Sequence, residues 1–120
     1  MPQEQASSLF IRGALLYDGS GKEPALSDML ISGGKIKAFG ANLPEPKGAE
    51  VLDAHGLSLA PGFIDSHGHS DISLLAAPEA FGKISQGVTS EVAGNCGLSP
   101  FPCTPEVHEH FAELYKQYNI

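Results

Sequence analysis

The sequence predicts a mixed fold: a small, mostly β domain over residues 1–60, shaped as half of a β-sandwich, then the first β/α units of a second domain over residues 61–120. Three observations carry this. The 120 residues include 14 glycines and 9 prolines, a density that suits short strands and tight turns and not a helical bundle. Apolar residues make up 42% of the chain, enough for a packed core. Near residue 60 the pattern changes, from short glycine-punctuated apolar runs to strand-like runs each followed by a helical one.

In the first half, residues 9–16 form an apolar run broken by Gly13, and Asp18-Gly19-Ser20-Gly21 turns the chain. Met29, Leu30 and Ile31 lead into Ser32-Gly33-Gly34-Lys35, beyond which Ile36, Ala38 and Gly40 alternate with Lys35, Lys37 and Phe39. Adjacent glycines adopt positive φ without steric cost, so this stretch predicts a hairpin. Residues 42–50 are a polar connector, and residues 50–56 and 57–62 read as two more short strands. No helix of useful length fits, and no catalytic constellation is visible.

In the second half, residues 62–67 run from apolar into polar groups, as a buried strand does when it reaches an edge. Residues 73–77 read as a loop or half a turn, residues 78–86 as a short helix stopping before Gly87, residues 88–93 as a strand, and Gly94-Asn95-Cys96-Gly97 as a sharp turn. Thr104-Pro105-Glu106 reads as an N-cap, a first-turn proline and an acid suited to the helix dipole. Behind it Val107, Phe111, Leu114 and Tyr118 recur at helical spacing. The tract reaches Ile120 with no capping signal, which reads as a cut through a longer chain.

Charge and composition exclude several functions. Fourteen acidic against seven basic residues give a net charge of -7, with no basic stripe for nucleic acid. The apolar runs are too short for a transmembrane helix, and MPQEQASS lacks a signal-peptide layout. Two cysteines make no disulfide scaffold. The expectation is a soluble, cytoplasmic protein with neither nucleic-acid nor membrane partners.

The chemistry gathers in few residues. His67-Gly68-His69 places two imidazoles two residues apart, on one side of an extended chain, with a glycine leaving the space between them open. They are either metal ligands or polar residues at a strand end. Asp65 and Asp71 flank them, as outer support, as a direct metal contact or, for Asp71, as a partner for a substrate amine or a turn cap. Asn95-Cys96-Gly97 sets a thiol just past a strand: a zinc ligand, a nucleophile or an inert turn cysteine. Asn95 beside it is a further candidate for outer support or substrate contact. Cys103 reads as structural, and His55, His108 and His110 as surface residues. Glu91 falls in an apolar strand, either buried against a partner or facing solvent.

Ala60-Pro61-Gly62-Phe63-Ile64-Asp65-Ser66-His67-Gly68-His69 resembles the first barrel strand of the metal-dependent amidohydrolase superfamily. Gly87-Val88-Thr89, followed by Gly94-Asn95-Cys96-Gly97-Leu98-Ser99-Pro100, narrows the resemblance to the N-acyl-D-amino-acid deacylase (D-aminoacylase) family. Asp18-Gly19-Ser20-Gly21 and Ile31-Ser32-Gly33-Gly34-Lys35-Ile36 resemble the small β-domain that precedes this barrel, so the likeness runs from about residue 9 onward. Two departures leave the substrate branch open: Gly68 where Ser or Thr is common, and Ser90-Glu91 in an often more apolar strand.

The resemblance implies a TIM-like (β/α)₈ barrel, incomplete here with about two of its eight strands. It implies that His67 and His69 are the first metal-ligand pair and that Cys96 is a thiolate ligand to a tightly held zinc ion. It further implies hydrolysis of N-acyl-D-amino acids to a carboxylate and a free D-amino acid. The family's general-base aspartate and two more histidine ligands lie on later strands, so this chain alone is expected to be inactive. Unpaired strand edges favour a homo-oligomer. The alternatives are an amidohydrolase branch acting on cyclic amides or ureas, in which Cys96 is not the key ligand, and a non-catalytic β-rich module.

Overall fold

The computed structural model describes residues 8–71, 73–99 and 101–116. The expectations on the first seven residues, Pro100, Tyr118 and Ile120 lie outside those residues. The chain divides into two compact units between Pro61 and Gly62.

The first unit is a five-stranded sheet built from β1 (Ser8–Leu16), β2 (Ala25–Ser32), β3 (Lys35–Gly40), β4 (Glu50–Asp53) and β5 (Ser58–Leu59). Its order is β3-β2-β1-β4, with β5 also paired to β1. The hairpin predicted at Gly33-Gly34 joins β2 to β3, and both glycines take positive φ, 60° and 68°. β1 is central, antiparallel to β2 and parallel to β4 and β5. Its register shifts between Ile11 and Ala14, at the Gly13 that interrupts the apolar run. Gly13 has φ 70°, and a β-carbon there would overlap the His55 ring, so both backbone and space demand glycine. Asp28 spans this bulge: Gly13 N–H donates to Oδ1 at 2.9 Å and Leu43 N–H to Oδ2 at 3.0 Å. Ile11, Ala14, Leu16, Met29 and Ala54 form the core, with Leu9, Ile31 and Leu59 packed against it. An apolar hollow of about 390 Å³, bordered by Leu16, Met29, Ile36 and Phe39, opens on the sheet.

The second unit contains two parallel strands, β6 (Phe63–Asp65) and β7 (Val88–Glu91). Between them run two single-turn helices, α1 (Ser73–Ala76) and α2 (Phe81–Ile84). After β7 come a 3₁₀ turn at Asn95–Gly97 and then α3 (Pro105–Lys116). Strand, helix, strand and helix make an unclosed, barrel-like β/α arrangement. The helix expected over residues 78–86 shrinks to α2. Ala80 N–H closes a turn onto Ala77 O at 3.1 Å, Ala80 itself is left-handed (φ 46°), and Gly82 weakens what remains. The strand expected to residue 93 ends at Glu91, because beyond it single backbone bonds replace the ladder: Val92 N–H to Asp65 O at 2.8 Å and Gly68 N–H to Val92 O at 3.1 Å. α3 begins where its capping signal predicts, with Val107 N–H reaching Thr104 Oγ1 at 3.4 Å. On its apolar face Phe111 is buried, while Val107 is exposed. Among the described residues, no helix is long and apolar enough to cross a membrane.

Candidate metal centre

β6 and β7 run parallel, so their C-terminal ends point the same way and the loops that follow lie side by side. His67 and His69 stand on the first loop, with ring centroids 5.4 Å apart and ring planes at 71°. Cys96 stands on the second, its Sγ 3.3 Å from His67 Nε2. The three donor atoms lie within 4.8 Å of one another, and all three residues are exposed.

The turn that presents the thiol is unusual. Gly94, Cys96 and Gly97 all take positive φ, and for cysteine (φ 56°) that conformation costs of order 1–3 kcal/mol. Side chains from both loops hold it. Asn95 Nδ2 donates to Gly68 O at 3.1 Å and to Val92 O at 2.8 Å, and Gly94 N–H donates to Asp71 Oδ1 at 2.8 Å. Asn95 and Asp71 thus stitch the histidine loop to the cysteine turn. Asp71 Oδ2 is buried with no hydrogen-bond partner among the described residues. Asp65 works from the strand end: its Oδ1 accepts from His67 N–H at 3.1 Å, and its Oδ2 pairs with Lys83.

Glu91, left undecided by the sequence, is turned inward with its side chain 13% exposed. It accepts from Ser70 N–H and Ser70 Oγ–H, each at 2.8 Å, and pairs with Lys83 Nζ at 3.0 Å. The Ser70 amide, then its hydroxyl and Lys83, hold the Glu91 carboxyl below its ordinary pKa. Lys83, then the His67 amide, do the same for Asp65. Asp65 and then Glu91 push the Lys83 ammonium above its usual value. Sequence reading missed Lys83 and Ser70. No local signal points to them: the register of β6 and β7 sets the carboxylates of Asp65 and Glu91 opposite each other, and only then is a cation called for between them.

The remaining candidates separate cleanly. Cys103, expected to be structural, is exposed and free, because it lies in the irregular stretch before α3 and packs into no core. His55 is exposed over Gly13 and pairs with Asp53. His108 and His110 are exposed on α3.

Two imidazoles and a thiolate suit a borderline-soft divalent ion and not calcium or magnesium. A tetrahedral ion with Zn–N of about 2.0–2.1 Å and Zn–S of about 2.3 Å sets its donors about 3.3–3.6 Å apart. The His67–Cys96 separation of 3.3 Å already meets that, and the 4.8 Å span of the set closes with small rotations of exposed side chains. The residues present therefore fit such an ion.

Parallel β/α units with histidine and cysteine donors past their C-terminal ends form a candidate metal centre at the face where a β/α barrel carries its site. The sequence profile of the amidohydrolase family matches residues 50–113. The chain is 50% identical over 96 residues to N-acyl-D-aspartate deacylase of Alcaligenes xylosoxydans xylosoxydans, an alignment covering 80% of this chain and 19% of that protein. It is 43% identical over 98 residues to D-aminoacylase of the same organism, covering 82% and 20%. The crystal structure of N-acyl-D-glutamate deacylase from Bordetella bronchiseptica, complexed with zinc and a phosphonate inhibitor, superposes with a TM-score of 0.73 at 38% identity, over 83% of this chain and 21% of that one. The chain belongs to the amidohydrolase family and is D-aminoacylase-like within it. It spans about a fifth of the length of these relatives.

Proposed function

We propose that the protein is a zinc-dependent hydrolase that deacylates N-acyl-D-amino acids, releasing a carboxylic acid and a free D-amino acid. The observation that carries this is the convergence of His67, His69 and Cys96, from two separate loops, on one point within 4.8 Å. The D-amino-acid substrate class is supported by what the relatives described above are named for. In this reading, His67, His69 and Cys96 hold the ion, and zinc bound there supplies an acidified water and polarises the acyl carbonyl. Asp65 orients His67 through its backbone amide, and Asn95 and Asp71 keep the Cys96 turn left-handed. The three donors stand on an exposed face that does not exclude water, so the 120-residue chain alone is expected to turn over no substrate. Phe63 and Ile64, 63% and 70% exposed on β6, favour self-association through that strand pair.

Native mass spectrometry of the chain with added zinc, alongside Cys96→Ser, tests the reading. One tightly held zinc that the variant loses is the expected result. Zinc retained equally by the variant would remove Cys96 from the ligand set and shift the assignment toward an amidohydrolase branch without a thiolate ligand. Turnover of an N-acyl-D-amino acid by this chain alone would refute the expected inactivity.

A further inference from the structure

Gly68, between the two histidines, is buried, and its backbone lies outside the positive-φ region that favours glycine. Only space keeps a side chain out. A β-carbon built there would collide with Cδ and Oε1 of Glu91. The Glu91 carboxylate therefore fills the volume that a side chain at residue 68, between the two histidines, would occupy.

From that position it grips the histidine segment at its far end. Ser70, one residue after His69, gives Glu91 both its amide and its hydroxyl hydrogen. Asp65 grips the near end through the His67 amide. The two carboxylates are register partners on adjacent strands, where like charges repel, and Lys83 bridges both. Residues 65–70 are thus a strap, fastened at each end by a carboxylate and tied across by one ammonium group. The two histidines lie between the fastenings.

We propose that Glu91 is a positioning residue for the metal centre: by occupying the space over Gly68 and anchoring Ser70 and Lys83, it sets the placement of His67 and His69. This rests on the metal assignment above. It makes Gly68 and Glu91 a coupled pair, so that the residue tolerated at one position depends on the residue at the other.

The test is zinc titration of the 120-residue chain against a chromogenic chelator, with the visible absorption of the cobalt-loaded chain as a geometric readout. Far-UV circular dichroism monitors folding. Glu91→Ala is expected to weaken zinc about 10- to 100-fold and to shift the cobalt bands while the fold persists. Glu91→Gln keeps the acceptor for the Ser70 amide and should fall between Glu91→Ala and wild type. Gly68→Ala should also weaken zinc, and Gly68→Ala/Glu91→Ala should bind more tightly than the product of the single losses, because the new methyl group enters vacated space. Unchanged zinc affinity and cobalt spectrum in folded Glu91→Ala, or strictly multiplicative losses across the Gly68/Glu91 cycle, would overturn the proposal. Should Glu91→Ala not fold, Glu91→Gln and Gly68→Ala decide it alone: wild-type affinity in both overturns it. A wild-type chain that binds no zinc overturns the metal assignment together with this inference, whereas a binding wild type with indifferent variants overturns only the latter.

Discussion

The two units are held together differently. In the first, β1 carries buried residues on both faces, Phe10 and Ile11 among them, and Ile11, Ala14, Leu16, Met29 and Ala54 form one cluster. In the second, Phe111 is the one large apolar side chain among the described residues that is buried, while Phe63, Ile64, Phe81 and Ile84 are exposed. What orders the second unit around the His67, His69 and Cys96 cluster is polar: Asp65, Asp71, Glu91, Lys83 and Asn95 tie strand ends to loops. Hydrophobic burial is non-directional and contributes bulk stability. Hydrogen bonds and ion pairs are directional, and they can fix donor atoms to within a fraction of an ångström. A division of labour follows, in which the first unit supplies stability and the second supplies geometry.

The sharpest break between the units should come from Cys96→Ser. Zinc affinity should fall more than about 100-fold, since a ligand and not merely its support is lost, while the melting of the first unit stays put. Isothermal titration beside a thermal melt reads both. The mirror experiment is Met29→Ala, which hollows the first unit's core next to an already open apolar cavity. It should destabilise by about 2–3 kcal/mol, the low end for such a truncation, in urea unfolding. Zinc affinity measured under native conditions should not change, and a parallel loss of zinc binding would show that the units are not energetically separate.

Acid sharpens the same contrast. Asp65 and Glu91 have folded pKa values below their ordinary ones, so their stabilisation is present above the unfolded pKa and is lost as pH falls through the folded value. For Lys83, whose folded pKa is raised, the contribution is present below its ordinary pKa and lost only in strong alkali. Acidification below the ordinary carboxylate range should therefore loosen residues 65–70 before the first sheet. The protection factors of the Gly68 and Ser70 amides, taken relative to intrinsic exchange at each pH, should fall while that of Ile11 holds. The smallest effect is expected from Thr104→Ala, which removes a 3.4 Å cap from α3 and should cost about 0.5–1 kcal/mol of local helix stability, with no change at the metal centre.

Local features were legible wherever the chemistry is local. The Gly33-Gly34 hairpin, the interruption at Gly13 and the Thr104 cap each follow from residues within a few positions of one another. The His67/His69 pair was legible because alternation in an extended chain puts residues two apart on one side. Glu91 was not, because its partners Ser70 and Lys83 are 21 and 8 residues away in the chain and meet it only once the two strands pair. The α2 helix was overestimated because the Ala77–Ala80 turn competes with it, and propensity alone does not rank that competition.

By itself, the sequence determined the strand and turn pattern of the first unit, the change to β/α order near residue 60, and the two-residue spacing of His67 and His69. Those depend on residue type and short-range periodicity. Tertiary structure alone decided that Cys96 lies 3.3 Å from a histidine 29 residues away, that Asn95 and Asp71 hold it there, and that Glu91 fills the space over Gly68. Parallel pairing of β6 with β7 brings those groups together, and strand register is a property of two segments at once, written in neither of them.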